Sequence, residues 1–351
     1  MGIFNAEMLI LAREFEGLTQ AQLAESLLIS QAEISKLESG IRPPSPELIA
    51  KLSKRLRCPA EFFYLSDSVK SFSSACVYHR KRQSTPQGVL RKLLALVNKR
   101  RIQVKRLLLA ADVGDNLFPR MDLDDFQGGP QEIASALRSS WKLPPGPVSN
   151  LTAAIEDAGG IILRCDFGTN KVDAVSQWLT DSPPMFFVNT SSPPDRMRFS
   201  LAHEIGHVVM HQLPTDDMER EADRFASEFL MPARDISAQL ADVTLARLAA
   251  LKPYWKTSMG ALLKRAGDLE QITERNKNYL WFRMGQLGYK TREPVTIPME
   301  MPRALNDLVD LHRSDLGYSN EELAKLLIAS EEEVQNVFGL PGSGLRLLRS
   351  T

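Results

Sequence analysis

Only five histidines occur in the 351 residues, and three of them fall in one short run, "LAHEIGHVVMH", at His203, His207 and His211. Imidazoles four residues apart on an α-helix lie about 40° apart around its axis, so His203 and His207 can grip one ion. Glu204, about 100° further round than His203, can reach a water on that ion. Leu201, Ile205 and Val208 on the opposite face anchor the helix in a core, and Gly206 permits another element to approach closely. His-Glu-x-x-His on such a helix is a zinc signature. The two imidazoles bind Zn²⁺ and the glutamate acts as general base to bound water.

A catalytic zinc takes three protein ligands and keeps one open position. The next helical stretch, "DDMEREADRFASEFLMP", places Glu219 twelve residues after His207. Glu219 and Asp223 fall on one face a turn apart, with Ala222 leaving room for the histidine helix. Glu219 is the candidate third ligand and Asp223 the group that orients a histidine from behind. Glu221 points elsewhere but stays open as the alternative ligand. His211, on the edge of the same face, is assigned to core packing or to hydrogen bonding behind the ligands. A buried histidine pair without metal is the plainer alternative; the motif, its helical setting and the fitting acidic helix speak against it. His79 and His312 stand alone and are assigned nothing.

These residues need elements to hold them. The runs "GIILRCDF", "KVDAVSQWL" and "PMFFVN" are β-branched or aromatic and divided by Gly, Asn and Pro, which predicts three strands just before the histidine helix. "KLPPGPVSN" at 142–150 is a breaker cluster that marks a boundary or loop. From Asp195 helical spacing returns, and 245–351 reads as helical with breaks at "REPVTIPMEMP" and "GLPGSG".

The first 66 residues predict short helices. Thr19 caps Gln20–Leu27, Ser30 caps Gln31–Ser39, and Gly40 ends the latter. Ala24 lets a second helix cross closely, Ile34 packs it back, and Gln31, Glu33, Ser35 and Lys36 leave its outer face polar. That is a helix-turn-helix pattern, whose polar face would enter the major groove of double-stranded DNA. Thr19, Gln20, Ser30 and Arg42 join those four as candidate DNA contacts, because helix N-termini meet phosphates. Residues 71–111 hold ten Lys or Arg and no acid, a further candidate phosphate-binding or dimerising segment. "GYSNEELAKLLIASEEEVQNVFG", near the C-terminus, faintly repeats the cadence of the N-terminal motif.

Thr19-Gln20, Leu23-Ala24, Ser30, Ile34-Ser35 and Glu38-Ser39-Gly40 resemble the Cro/CI (XRE) helix-turn-helix family over about 60 residues. The chain departs at Leu28, where that family usually has a glycine with positive φ. "FGTNKVDAVSQWL", "FFVNTSSPPDRMRFSLAHEIGHVVMH" and "EREADRFASEFLMP" resemble the ImmA/IrrE family of zinc metallopeptidase domains. That resemblance implies a small zincin-like fold and a protein substrate, often a partner repressor. It also makes Asp195, Arg196 and Arg198 a brace for the histidine helix. The expected fold class is multidomain and mainly α. An all-α helix-turn-helix domain spans 1–70 and a basic helical linker or dimerisation region 71–145. An α+β metallopeptidase domain with a small sheet follows at 146–265, then a helical C-terminal region at 266–351.

Formal charge is balanced at 43 basic and 43 acidic residues, so no global field argues for nucleic acid or membrane. Three scattered cysteines exclude a disulfide framework and fit a reducing compartment. With no signal peptide and no spanning run, the expected location is the cytoplasm. The expected partners are a DNA operator, read by a homodimer because such proteins usually contact two half-sites, and a protein or peptide substrate. Two other readings fit the same motifs. One is a transcription factor whose metal domain is structural or senses a ligand; the other is an antitoxin-like regulator that binds a partner.

Overall fold

The computed structural model describes residues 2–70, 86–111, 115–180 and 182–338. The chain forms two compact units. One comprises the described residues of 1–71, 84–113 and 303–351, and the other those of 114–302. The unit that contains the N-terminus therefore also contains the C-terminal segment, and the histidine run lies in the stretch of chain between them. Arg80, Lys81, Arg82, Cys76, His79, Asp112 and the "GLPGSG" break lie outside the described residues.

In the first unit, helices α1 (Ala6–Phe15), α2 (Gln20–Leu27), α3 (Gln31–Glu38) and α4 (Pro46–Leu56) precede a 3₁₀ turn, Ala60–Tyr64. Their starts follow the capping rules. Thr19 and Gln22 form a capping box, and the Ser30 and Ser45 side chains each accept an N–H from the first turn of the helix they open. Met8, Leu9, Leu23, Ala24, Ile34, Leu52 and Phe63 fill the core between them. Leu28 adopts the left-handed conformation at φ 58°, ψ 41° with its side chain 94% exposed. The fold thus tolerates a leucine where a glycine would sit without strain, at a cost of about 1 kcal/mol.

The described part of the basic run forms the helix Gln87–Leu107, in which Lys99, Arg100 and Arg101 are buried rather than open to a phosphate. Ala95 and Ile102 enter the N-terminal core, while Leu107 enters a second core with Val309, Leu323, Leu327, Val334 and Phe338. Lys99 Nζ and Arg100 Nη1 lie 2.9 and 2.6 Å from the Glu333 carboxylate, and Lys99 also sits over the Phe15 ring at 4.0 Å. Arg101 donates to Ser68 O, and Arg106 pairs with Asp67. Charges at these positions are held by partners inside the unit, so they cannot serve as a free phosphate-binding row.

The faint C-terminal repeat is a structural one. Helices Asn320–Leu327 and Glu331–Phe338 reproduce α2 and α3. Ser319 and Glu322 form a capping box as Thr19 and Gln22 do, Ile328 takes the left-handed turn position at φ 48°, and Ser330 Oγ caps Glu333 N. The position of Gln31, however, carries Glu331, and Glu332 and Glu333 follow it. Three acids in the first turn oppose a phosphate backbone. In this copy the helix serves packing, with Glu333 turned onto the basic helix.

Glu333→Gln should therefore destabilise the first unit by about 3 kcal/mol, since it leaves buried cations without their carboxylate. Partial burial alone would raise the pKa of the Glu333 carboxyl, but Lys99 and Arg100 outweigh it and hold it below the ordinary value. A depressed native pKa gives stability that is complete above the unfolded carboxylate pKa and fades as pH falls through the folded one. The variant should lose that acid-side slope in urea titrations; an unchanged midpoint and slope would remove the pair as a stabilising element.

The second unit is α+β. Strands β1 (Ile161–Cys165), β2 (Ala174–Gln177) and β3 (Met185–Asn189) form one sheet in the order β1-β3-β2. β1 runs parallel to β3 with Ile161 opposite Met185, and β2 runs antiparallel to it with Ala174 opposite Val188. The strands lie where the β-branched runs predict them, and β3 is buried along its whole length, as a central strand must be. The histidine helix, Pro194–Met210, packs on β2 and β3, and the glutamate helix, Met218–Leu230, packs on the histidine helix. A Cβ on Gly206 would meet the Phe225 ring at 3.1 Å and Ala222 Cα at 3.3 Å, so a glycine facing an alanine is what lets these two helices close. Phe186, Val188, Leu201, Ile205, Phe225, Phe229 and Trp255 form the core beneath. Among the described residues no helix is long and apolar enough to cross a membrane.

Candidate metal centre and DNA-reading face

Close packing of the histidine and glutamate helices brings His203, His207 and Glu219 together, with one donor atom of each within 4.8 Å of the others. The two Nε2 atoms are 3.0 Å apart. Glu219 spans them, Oε2 lying 3.3 Å from His203 Nε2 and Oε1 3.3 Å from His207 Nε2. A tetrahedral zinc with bonds of about 2.0–2.1 Å separates adjacent ligand atoms by about 3.3 Å. The donor set and its spacing therefore fit such an ion. Among the described residues Glu219 belongs to this group and Glu221 does not.

Each imidazole is backed on its other nitrogen. His203 Nδ1 is 3.0 Å from Asp223 Oδ1, and Asp223 Oδ2 is 3.3 Å from Lys264 Nζ. His207 Nδ1 is 2.8 Å from His211 Nδ1, and His211 Nε2 is 3.0 Å from Glu221 Oε2. Three acids of "EREAD" thus meet three histidines of "HEIGHVVMH". His211 sits just beyond the last helical residue, Met210, which swings its ring under His207.

Burial works against a charged ring at all three histidines. At His203 it is outweighed by hydrogen bonds to Asp223 and Glu219 and by the nearby Glu204 charge, which push its pKa up to about 10. At His207 burial prevails and the pKa falls. At His211 burial and the neighbouring rings push it down to about 3. Burial would raise the Glu219 carboxyl, but the two histidines hold it well below the usual carboxylate range.

Glu204 is 4% exposed, and its Oε2 accepts a hydrogen bond of 2.7 Å from Ser176 Oγ on β2. Ser176 has no signature of its own in the sequence; only the register of β2 beneath the helix reveals it. Three residues near the start of the histidine helix tie it down. Asp195 pairs with Lys252 at 2.6 Å, Arg196 with Asp173 at 2.8 Å, and Arg198 with Glu300.

On the first unit, Thr19, Ser30, Gln31, Ser35, Lys36 and Arg42 are exposed, while Gln20 and Glu33 are half-buried. Gln31 donates to Gln20 Oε1 at 2.9 Å and Gln20 donates to Glu38 Oε2 at 2.8 Å. Arg13 closes the chain by binding both Glu38 oxygens, at 2.5 and 3.0 Å. The network holds the Gln31 amide at the outer face of α3. Arg42 faces Glu33 at 3.3 Å. A hollow of about 480 Å³ at the start of α2 is lined by Arg13, Thr19, Gln20, Gln31 and also Arg91. Arg91 contributes there from near the start of the basic helix, apart from the buried arginines of that helix.

Comparison with protein families gives two matches. Residues 9–63 match the helix-turn-helix family model, of XRE type, and residues 155–266 match the IrrE N-terminal-like domain, a peptidase family. The chain joins an XRE-type helix-turn-helix domain to an ImmA/IrrE-type metallopeptidase-like domain, which makes it a DNA-binding regulator by class. No curated protein and no solved structure matches it.

Proposed function

We propose that the protein is a transcriptional regulator that binds an operator through α2 and α3 and cleaves a protein partner, such as a repressor, at a zinc centre held by His203, His207 and Glu219. The observation that carries the catalytic half is the Glu204 carboxylate, buried and pinned by Ser176 beside a three-donor group. A site built only to hold metal has no use for a buried carboxylate that is not among its donors. A zinc ion in this position would supply Lewis acidity, polarising a peptide carbonyl and lowering the pKa of a water to about 7. Glu204 takes a proton from the attacking water on its carboxylate and delivers it to the leaving amine. Ser176 keeps that carboxylate oriented through both transfers. Glu219 would balance the charge of such an ion, while Asp223 would keep a proton on His203 Nδ1 so that Nε2 presents its lone pair.

On the DNA side, the Gln31 amide and Ser35 are the groups placed to read base edges, and Lys36 and Arg42 the cations placed for phosphates. Thr19, Ser30 and the exposed N–H groups at their helix starts, with Arg91, suit backbone phosphates. The protein acts as a homodimer on two half-sites.

Wild type and Glu204→Gln, compared in the native host and then in vitro, test both halves. The variant should keep its zinc and its operator shift and lose cleavage by at least about 100-fold, the usual contribution of a positioned general base. Equal cleavage by the variant removes Glu204 from the chemistry.

A further inference from the structure

We propose that Glu221 is a positioning residue that acts through His211 to fix the tautomer of His207, so that His207 Nε2 carries a lone pair toward the ion. This rests on the metal centre proposed above and extends it to two residues outside the ligand set. The His207 Nδ1···His211 Nδ1 contact of 2.8 Å needs one hydrogen and only one. The His211 Nε2···Glu221 Oε2 contact of 3.0 Å also needs one, and a carboxylate can only accept it. His211 Nε2 therefore holds the proton. On a neutral imidazole that donates at Nε2 the lone pair lies at Nδ1, so His211 Nδ1 must accept. The donor is then His207 Nδ1–H, and His207 Nε2 is left bare on the side of His203 Nε2 and Glu219.

Reversing any one link reverses all of them. With a proton on His211 Nδ1, His207 would have to accept at Nδ1 and carry its proton on Nε2, where it blocks coordination. For a neutral His211 ring, Glu221 excludes that arrangement because His211 Nε2 would then have no hydrogen for it. The two ligand histidines are thus prepared by different means. His203 has its carboxylate directly, at Asp223, whereas His207 is reached through an intervening ring. The side chains of His207 and His211 are both 1% exposed, so water does not compete for the shared hydrogen. Glu221, with its side chain 23% exposed, is the point where this chain meets solvent.

The test uses the full-length protein. Zinc affinity by chelator competition should fall roughly 10–100-fold in Glu221→Ala, the usual loss for an outer hydrogen-bond partner, while saturating zinc still loads one equivalent. In a His211→Ala background the same substitution should change affinity less than twofold. Nitrogen-15 NMR of the metal-free protein should show His207 in the Nδ1–H form in wild type and a mixture of both tautomers in Glu221→Ala. A general packing defect would not move that signature. Wild-type affinity in Glu221→Ala, an undiminished effect without His211, or an unchanged tautomer would each overturn the proposal. If wild type took up no zinc, the metal reading would fall, and the tautomer spectrum of the metal-free protein would still decide the relay.

Discussion

His203→Ala is expected to leave the purified protein without zinc, against about one equivalent per chain in wild type by elemental analysis. The affinity lost should exceed the roughly 10–100-fold typical of an outer hydrogen-bond partner, because a bond to the ion itself is removed. The reason lies in how the three donors are arranged. Glu219 bridges two rings whose Nε2 atoms are already 3.0 Å apart, and a pair of donors on one helix cannot close a site without it. Without His203, Asp223 also loses its histidine partner and retains Lys264. The helix itself should survive, since Leu201, Ile205 and Val209 remain in the core, so far-ultraviolet circular dichroism should match wild type. Stoichiometric zinc in the folded variant would rule out His203 as a ligand.

The same pattern explains what sequence could and could not supply. The capping signals at Thr19 and Ser30, the spacing of His203 to His207 and the β-branched runs are local, and each maps onto an element at the expected place. The family matches agree with the two domains those signals imply. What sequence did not reveal depends on pairings across long separations. Lys99 and Arg100 look like a phosphate-binding row until Glu333, more than 230 residues away, is found against them. Ser176 is one serine among many until β2 places it under Glu204. Glu221 and Asp223 carry the same charge two residues apart, and only helix packing sends one to His211 and the other to His203. The C-terminal repeat was audible as a cadence, but its loss of a DNA-reading face is written plainly in Glu331, Glu332 and Glu333.

Among the described residues, the stretch that forms the metallopeptidase-like unit lies between two segments that build the other unit. Glu300 lies near the far end of that stretch.

Glu300→Ala should have the largest effect of any substitution away from the metal centre. Glu300 is 9% exposed and pairs with Arg198 of the histidine helix, itself 1% exposed. Its other oxygen accepts N–H groups from Leu151 at 2.9 Å and Thr152 at 3.1 Å, the open start of the helix Leu151–Asp157. Arg198 also donates to Val148 O at 2.7 Å. One carboxylate thus neutralises a buried guanidinium and satisfies two helix N–H groups. Removing it strands both, at a cost of about 3–5 kcal/mol, a large share of the 5–15 kcal/mol that holds a typical domain. Glu300→Gln retains an acceptor for the N–H groups but not the charge, and should fall between the two. The expected order of urea midpoints is wild type, glutamine, alanine, with zinc retention following the same order because Arg198 lies on the helix that carries His203 and His207. Equal midpoints for wild type and alanine would show that Arg198 is neutralised by another route.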